Sequence, residues 1–464
     1  LSFKDYGKTI TLLSPTKLFL NIPENVLTHQ VQNEPTEVTI ALNPTVINLN
    51  NKNVKTFSGE IAFDKVALKQ NNATAILNNF VMPWTLDTET QKISVEFLGK
   101  TYFPDLDKHG QIQGKVFLEN WLKDHQLNFT NTFIAIDADV SQFPTSFINT
   151  FSDKKVWDVL LGDLVNIKCS TKIDREIKQG NFFTFEIHSD DLNANCFFAT
   201  ENGIILKQPA TIQFLLTEKR FKALRQLYSS FNTLSLTKDS NVQIQFDKLF
   251  IPTSKEIKEI ILDGKIKLNQ LNITDSLAKE TLAFEDLSGT ISTHQLGNEI
   301  FLHLTGKQLL SNLKKDVVYS IHANQYLKND NSFNVDSMSL DIDLKTPYLP
   351  ISLMSQLLSL PVEKKEQLLA LFGKGIEANI HTKLEKMEGP VLLEVKGLNG
   401  GLNLDGHIAK GILRLNKDFK AQFNLTPHLG KLVVQEIFPL LNGIVRSENP
   451  LTITIPHHDF SLPL

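Results

Sequence analysis

At 464 residues the chain is too long for one ordinary hydrophobic core. It carries a net charge of −4, with 41% hydrophobic and 21% charged residues. That balance describes a folded chain and excludes both the basic footprint of a nucleic-acid binder and the charge-rich composition of a disordered protein. Two cysteines, Cys169 and Cys196, are too few for a disulfide-built scaffold. No run of about eighteen apolar residues is present to cross a bilayer as a helix. The chain opens with Leu1-Ser2-Phe3, without a signal peptide or initiator Met, and reads as an excised or processed piece of something longer.

In chain order, residues 1–54 read as the end of an incomplete repeat, in which Phe19 and LNIPENVL lead through Pro35 to the strand VTIAL. A first full copy, 55–257, opens on SGEIAFDKVAL (Ser58–Leu68), which matches DGKIKLNQLNI (Asp263–Ile273) at the start of a second full copy, 258–464. Further landmarks follow in the same order: Leu98-Gly99-Lys100 with Thr305-Gly306-Lys307, Trp121-Leu122-Lys123 with Tyr326-Leu327-Lys328, Ile136-Asp137 with Ile342-Asp343, Phe143-Pro144 with Leu349-Pro350, and Leu161-Gly162 with Phe372-Gly373. Each copy is expected to place a helix before that last landmark, and the second copy's is the longer, SLMSQLLSLPVEKKEQLLALFG. A second helix-to-strand unit closes each copy, at Phe214–Pro252 and Phe423–Leu464. In the latter, Thr426-Pro427 is a start signal and Leu429, Leu432, Val433, Ile437, Leu440 and Leu441 recur at helical spacing.

Between the helices, apolar residues alternate with polar or small ones, the period of half-buried strands. The face expected to line a lipid groove carries Val95, Phe97, Ile134, Ile136, Phe183, Phe185, Ile212 and Phe214 in the first copy. Leu302, Leu304, Leu340, Ile342, Val391, Leu393, Leu402, Leu404 and Ile453 are its members in the second. Turns are expected at Asp107–Gly110, Gln179–Asn181 and Asn399–Gly401. The helices are too few for a βαβ chain, so the fold class is mainly β with a few amphipathic helices. The expected architecture is a tandem-repeat antiparallel sheet curled into an elongated apolar β-groove. Such a groove, rich in Phe, suits acyl chains, each buried methylene contributing about 0.8 kcal/mol. The same alternation also serves ordinary core packing.

Catalytic and metal patterns are missing. His457-His458 read as neighbours on an extended segment, which turns their rings to opposite faces and sets them against a shared ion. Gly373-Lys374-Gly375 and the glycine run Gly397–Gly406 lack the strand–loop–helix context of a phosphate loop, and no GxSxG, HExxH or CxxC occurs. Asp137 and Asp343 fall one per copy, which favours a structural role. No enzyme, cofactor or metal is expected.

The stretches FNLTP and ENPLTITIPHHDFSLPL, with the order LDGKIKLNQLNI, FLHLTGK and LDIDL, resemble the recurring blocks of AsmA-like proteins, the group that includes TamB. The resemblance implies a bridge-like lipid-transfer β-groove in the periplasm or envelope of a diderm bacterium, anchored at a membrane through parts outside this stretch. It implies phospholipid or another acyl-chain lipid as partner, with envelope proteins as further partners, and a part in phospholipid transport or outer-membrane assembly. The anchor helix and the TamB-type C-terminal domain of that group are not recognisable here. Two other classes fit the pattern in part: a tubular protein with discrete lipid pockets, and a structural or adhesive β-repeat.

Overall fold

The computed structural model describes residues 3–5, 9–23, 32–48, 56–70, 73–120, 122–123, 126–127, 132–145, 157–174, 181–227, 233–253, 259–275, 279–310, 313–328, 334, 337–357, 360–424, 429, 450–459 and 461–463. The described residues are mainly β, 73% strand against 11% helix. It divides into two compact units, Leu1–Ile212 and Gln213–Leu464.

In the first unit, β1 (Thr16–Ile22) pairs with β2 (Thr36–Leu42), and β2 with β3 (Thr56–Gln70). From there each strand pairs antiparallel with the next: β4 (Ala73–Asp87), β5 (Lys92–Phe103), β6 (Lys108–Glu119), β7 (Phe133–Pro144), β8 (Leu164–Asp174), β9 (Asn181–His188) and β10 (Leu192–Thr200). A short helix, α1 (Trp157–Leu161), separates β7 from β8. Phe3–Asp5, Thr9–Leu12 and Thr45–Asn48 make a small sheet of their own. β11 (Gly203–Leu216) follows, and its last four residues belong to the second unit.

The second unit begins with α2 (Glu218–Leu227), then β12 (Leu234–Lys238) and β13 (Ser240–Pro252), both paired with β14 (Ile261–Asp275). The meander continues through β15 (Glu280–Thr293), β16 (Glu299–Leu310), β17 (Leu313–Asn324) and β18 (Ser339–Pro350). Two helices intervene, α3 (Ile351–Leu357) and α4 (Val362–Phe372), before β19 (Gly375–Leu384), β20 (Gly389–Gly397) and β21 (Gly400–Ala409). β22 (Ile412–Leu415) and β23 (Phe419–Phe423) share the edge of β21. β24 (Leu451–Ile455) pairs with β23, and β25 (Ser461–Pro463) with β22. Among the described pairings, neither ladder returns to its own first strand, so neither unit closes into a barrel.

Irregularities recur at matching places. The register shifts between Val140 and Phe143 in the β7/β8 pair and between Thr346 and Leu349 in β18/β19. It shifts between Asn78 and Val81 in β4/β5 and between Glu285 and Ser288 in β15/β16. Asn79 and Asp286 adopt φ of 48° and 50°, and Asn120 and Gln325 adopt 57° and 54°. Each is a non-glycine residue in a region favoured by glycine or asparagine, where a bulge or turn reverses the pleat.

The long helix of the second copy is two helices. Pro361 caps α4, and because the residue before a proline is steered out of helical geometry, Leu360 instead donates its N–H to the Ser355 carbonyl at 2.8 Å. The segment of His457 and His458 is a 3₁₀ turn, His457–Asp459, not an extended strand. The two rings meet edge to face 5.3 Å apart, and His457 Nδ1 lies 2.9 Å from Asp418 Oδ1. Apart from Leu429, which is helical and buried, the helix expected over 426–441 lies outside the described residues, as do the body of the first copy's helix, 146–156, and Gln179 and Gly180 of the second turn. The turn at Asn399 joins β20 to β21, and Asp107 joins β5 to β6 in left-handed geometry at φ 50°.

Candidate functional site: the apolar face

Directly paired residues in a ladder share a face, and faces alternate along each strand. The registers therefore assemble rows of side chains running across the strands. In the first unit, Trp84, Val95, Val116, Ile136, Thr171, Phe183 and Phe198 form one row. Beside it run Phe97, Gly114, Ala138, Cys169, Phe185 and Cys196, and on the other side Leu86, Ile93, Leu118, Ile134 and Ile173. Seven of the eight first-copy candidates lie on β5, β7, β9 and β11 in this unit, six of them in these rows. Ile212 is half-buried on β11 and Phe214 belongs to the second unit.

The second unit also has rows of this kind. Gly289, Leu304, Tyr319, Leu344, Ile380, Leu393 and Leu404 form one row, and Ile291, Leu302, Ile321, Ile342, Thr382, Val391 and Gly406 the next. Leu340 sits between Ala323 and Leu384, and Leu402 reaches Ile453 through Ala421.

None of the seventeen candidates is buried. Phe185, Leu302 and Ile453 are exposed and the other fourteen are half-buried. The surroundings differ between the units. Within the second unit three apolar clusters are buried. One gathers Ile351 of α3, Phe372 of α4, Ile376, Ala378 and Val395, with Leu393 and Leu402 packed on it. Another gathers Leu282, Phe284, Leu287 and Val317, with Leu304 against it, and the third gathers Leu216, Leu236 and Val242, with Phe214 against it. Four candidates thus border sealed core. Leu302, Leu340, Ile342, Val391, Leu404 and Ile453 border none of these clusters. Among the described residues the first unit has no such buried cluster, only scattered residues such as Val66, Phe103 and Val165.

Small residues make room for rings on this face. A Cβ at Gly114 would overlap the Phe97 ring, and at Gly375 it would overlap Tyr348. Cys169 and Cys196 flank Phe185 from the two neighbouring strands. Two strand spacings put their backbones about 9.6 Å apart, beyond the reach of a disulfide, and both thiols are free. Burial pushes both thiols up, away from the reactive thiolate form. Tyr348 is pushed up to about 12 by burial and by the neighbouring Glu280 carboxylate.

The opposite face carries the charged side chains together with Phe117, Phe133, Phe182 and Phe197, and sequence reasoning missed a feature on it. A depression of about 810 Å³ in the first unit is lined by five-strand segments of two rows of that face, Glu96, Lys115, Asp137, Ser170 and Thr184, and Leu98, Gln113, Asp139, Lys168 and Glu186, with Phe97, Gly114, Ala138 and Cys169 between them. Lys115 pairs with Glu96 at 2.7 Å. Of the seventeen candidates only Phe97 touches this depression. The signal available was the other half of the alternation, with opposite charges on adjacent strands. No group of His, Cys, Asp and Glu side chains among the described residues is arranged to hold a metal ion, and no described helix is long and apolar enough to cross a membrane.

Compared with protein-family models, curated proteins and solved structures, the chain matches none.

Proposed function

We propose that this protein binds lipid without chemistry, its two ladders being copies of one repeat that presents acyl chains with a continuous apolar face. The observation that carries the reading is the state of that face. Its rows join largely apolar side chains across five to seven strands, yet the candidate residues stay half-buried or exposed, and among its described residues the first unit seals no apolar cluster beneath them. Apolar surface of that extent left wet is the mark of an interaction site. Each acyl methylene removed from water against it is worth about 0.8 kcal/mol. The repeat reading draws support from the paired irregularities at Val140/Phe143 and Thr346/Leu349 and at Asn79 and Asp286. Bulges are inherited as features of a unit, not scattered at random. The groove, the AsmA-like affiliation, phospholipid as cargo and a place in a bacterial periplasm or envelope belong to the same proposal. They rest on the sequence resemblance.

The test is a pair of charged substitutions compared with a buried one. Phe185→Asp and Leu302→Asp fall on exposed positions and should abolish uptake of a fluorescent phospholipid from vesicles while leaving circular dichroism and melting unchanged. Val317→Asp, in a sealed cluster, should instead unfold its unit. Folded variants at both exposed positions with unaltered uptake would overturn the assignment.

A further inference from the structure

Among the described residues, the most exposed large apolar side chains of the second unit stand at one end of its strands. Leu313 is 64% exposed, Val362 71% and Leu398 85%. β17 starts at Leu313, and β18 runs back antiparallel to it toward α3 and α4, so the start of β17 and the two helices share that end. β19 leaves from there and β20 returns, which brings Leu398, in the turn to β21, to the same end. The pieces are neighbours. A Cβ at Gly373, which caps α4, would lie 3.2 Å from Leu398 Cβ. Lys315 Nζ lies 3.8 Å from a Glu377 carboxylate oxygen, and Glu377 is the register partner of Lys396. Val362 opens α4, about 15 Å of helix from Leu398. The turn that carries Leu398 is pinned: the Asn399 side-chain amide donates to the Ala370 carbonyl at 3.3 Å and its backbone N–H to the Phe372 carbonyl at 3.4 Å. A leucine held outward in a turn is the reverse of the usual turn chemistry. Lysines accompany each of the three side chains: Lys314 and Lys315, Lys364 and Lys365, and Lys396.

We propose that this end of the second unit seats on the surface of a lipid bilayer. Leu313, Val362 and Leu398 enter the acyl boundary, and the lysines beside them reach back on their apolar stems to the headgroups. The occupant is argued from spacing and charge. The three are separate tips with charged residues among them, Asp316, Glu363 and Glu366 as well as the lysines, and they form no contiguous patch of the kind a protein partner buries. A fluid interface takes each tip by itself, and a lysine next to an apolar anchor suits the boundary between acyl chains and phosphates. These positions lie at strand ends, not along a pairing edge, so hydrogen-bonding of a further strand to the sheet does not use them. The inference rests on the lipid reading for its purpose, since it gives the surface from which acyl chains reach the protein. The seating itself needs no acyl chain on the apolar face.

The test is flotation of the whole chain with vesicles of phosphatidylcholine and phosphatidylglycerol. The wild type should float. The triple variant Leu313→Ser, Val362→Ser and Leu398→Ser changes exposed positions only, so it should keep its circular dichroism spectrum and bind about tenfold more weakly or worse. Leu398→Trp should bind more tightly, because tryptophan favours the interface. Phe185→Asp and Leu302→Asp, expected to stop uptake, should float like the wild type, so seating and uptake fail separately. Flotation without uptake would sink the lipid reading and leave this proposal standing, and uptake without flotation would do the reverse. A wild type that stays at the bottom of the gradient overturns the proposal, as does a triple variant that floats as well as the wild type.

Discussion

Tyr348 shows how one side chain is held by its neighbours. Its ring occupies the space that a Cβ at Gly375 would take, and its backbone carbonyl and N–H are both engaged by the Gln308 amide, at 2.7 and 3.0 Å. Burial, then the Glu280 carboxylate, disfavour its ionised form and push it up to about 12. A group whose folded value is raised contributes stability that is complete below the unfolded value, about 10 for tyrosine, and is lost as pH climbs through the folded one. Alkaline unfolding should therefore coincide with the last tyrosine to titrate by ultraviolet absorbance. Glu280→Gln, which removes the charge and keeps the shape, should move that titration down toward the ordinary value. Gly114 is the other position where a single atom decides. Gly114→Val would drive its Cβ into both the Phe97 ring and the Asp137 backbone carbonyl and should cost about 1–3 kcal/mol in denaturant unfolding, a penalty that a second change, Phe97→Ala, should relieve only in part because the carbonyl stays.

At the scale of the element, β7 and β18 make the same irregularity by different means. In β18 the fully buried Gln308 clamps Tyr348 from β16, whereas in β7 the Gln142 N–H donates to Asn166 Oδ1 at 2.8 Å. Gln308→Ala takes the partner from the half-buried Tyr348 N–H and leaves its carbonyl with the Thr346 hydroxyl, which donates to it at 3.3 Å, and should cost about 1–3 kcal/mol. Asn166→Ala, at an exposed bond, should cost less. Denaturant midpoints of the two variants give the comparison. The strands themselves were legible because alternation is local: Val95 and Phe97, or Leu340 and Ile342, announce a half-buried strand from five residues of sequence. That rows from strands far apart in sequence share one face followed from the same period once the meander was assumed. What was not legible depends on contacts between elements. The break at Pro361 divides one apolar run into α3 and α4, and their packing leaves Leu393 and Leu402 beside sealed core while Ile342 and Val391 border none. No periodicity distinguishes these two fates. The polar depression was equally hidden, because alternation says which side chains share a face and nothing about where that face dips.

At the scale of the whole molecule, the two units spend their apolar residues differently. Apolar surface left half-wet contributes little to folding, since the stabilising term follows the area removed from water. The first unit, with no buried cluster among its described residues, therefore has the most to gain from a ligand, and it should be stabilised more than the second when lipid binds. Hydrogen exchange with and without phospholipid vesicles should show protection rising first in β5 to β9. Equal change in both units would contradict that ordering. The central claim, that this face holds acyl chains, is tested most directly by native mass spectrometry of the purified chain with extraction of whatever lipid accompanies it. The account predicts several phospholipids per chain, displaced together by Phe185→Asp and Leu302→Asp. A folded chain that carries no lipid and takes none up from vesicles would contradict it.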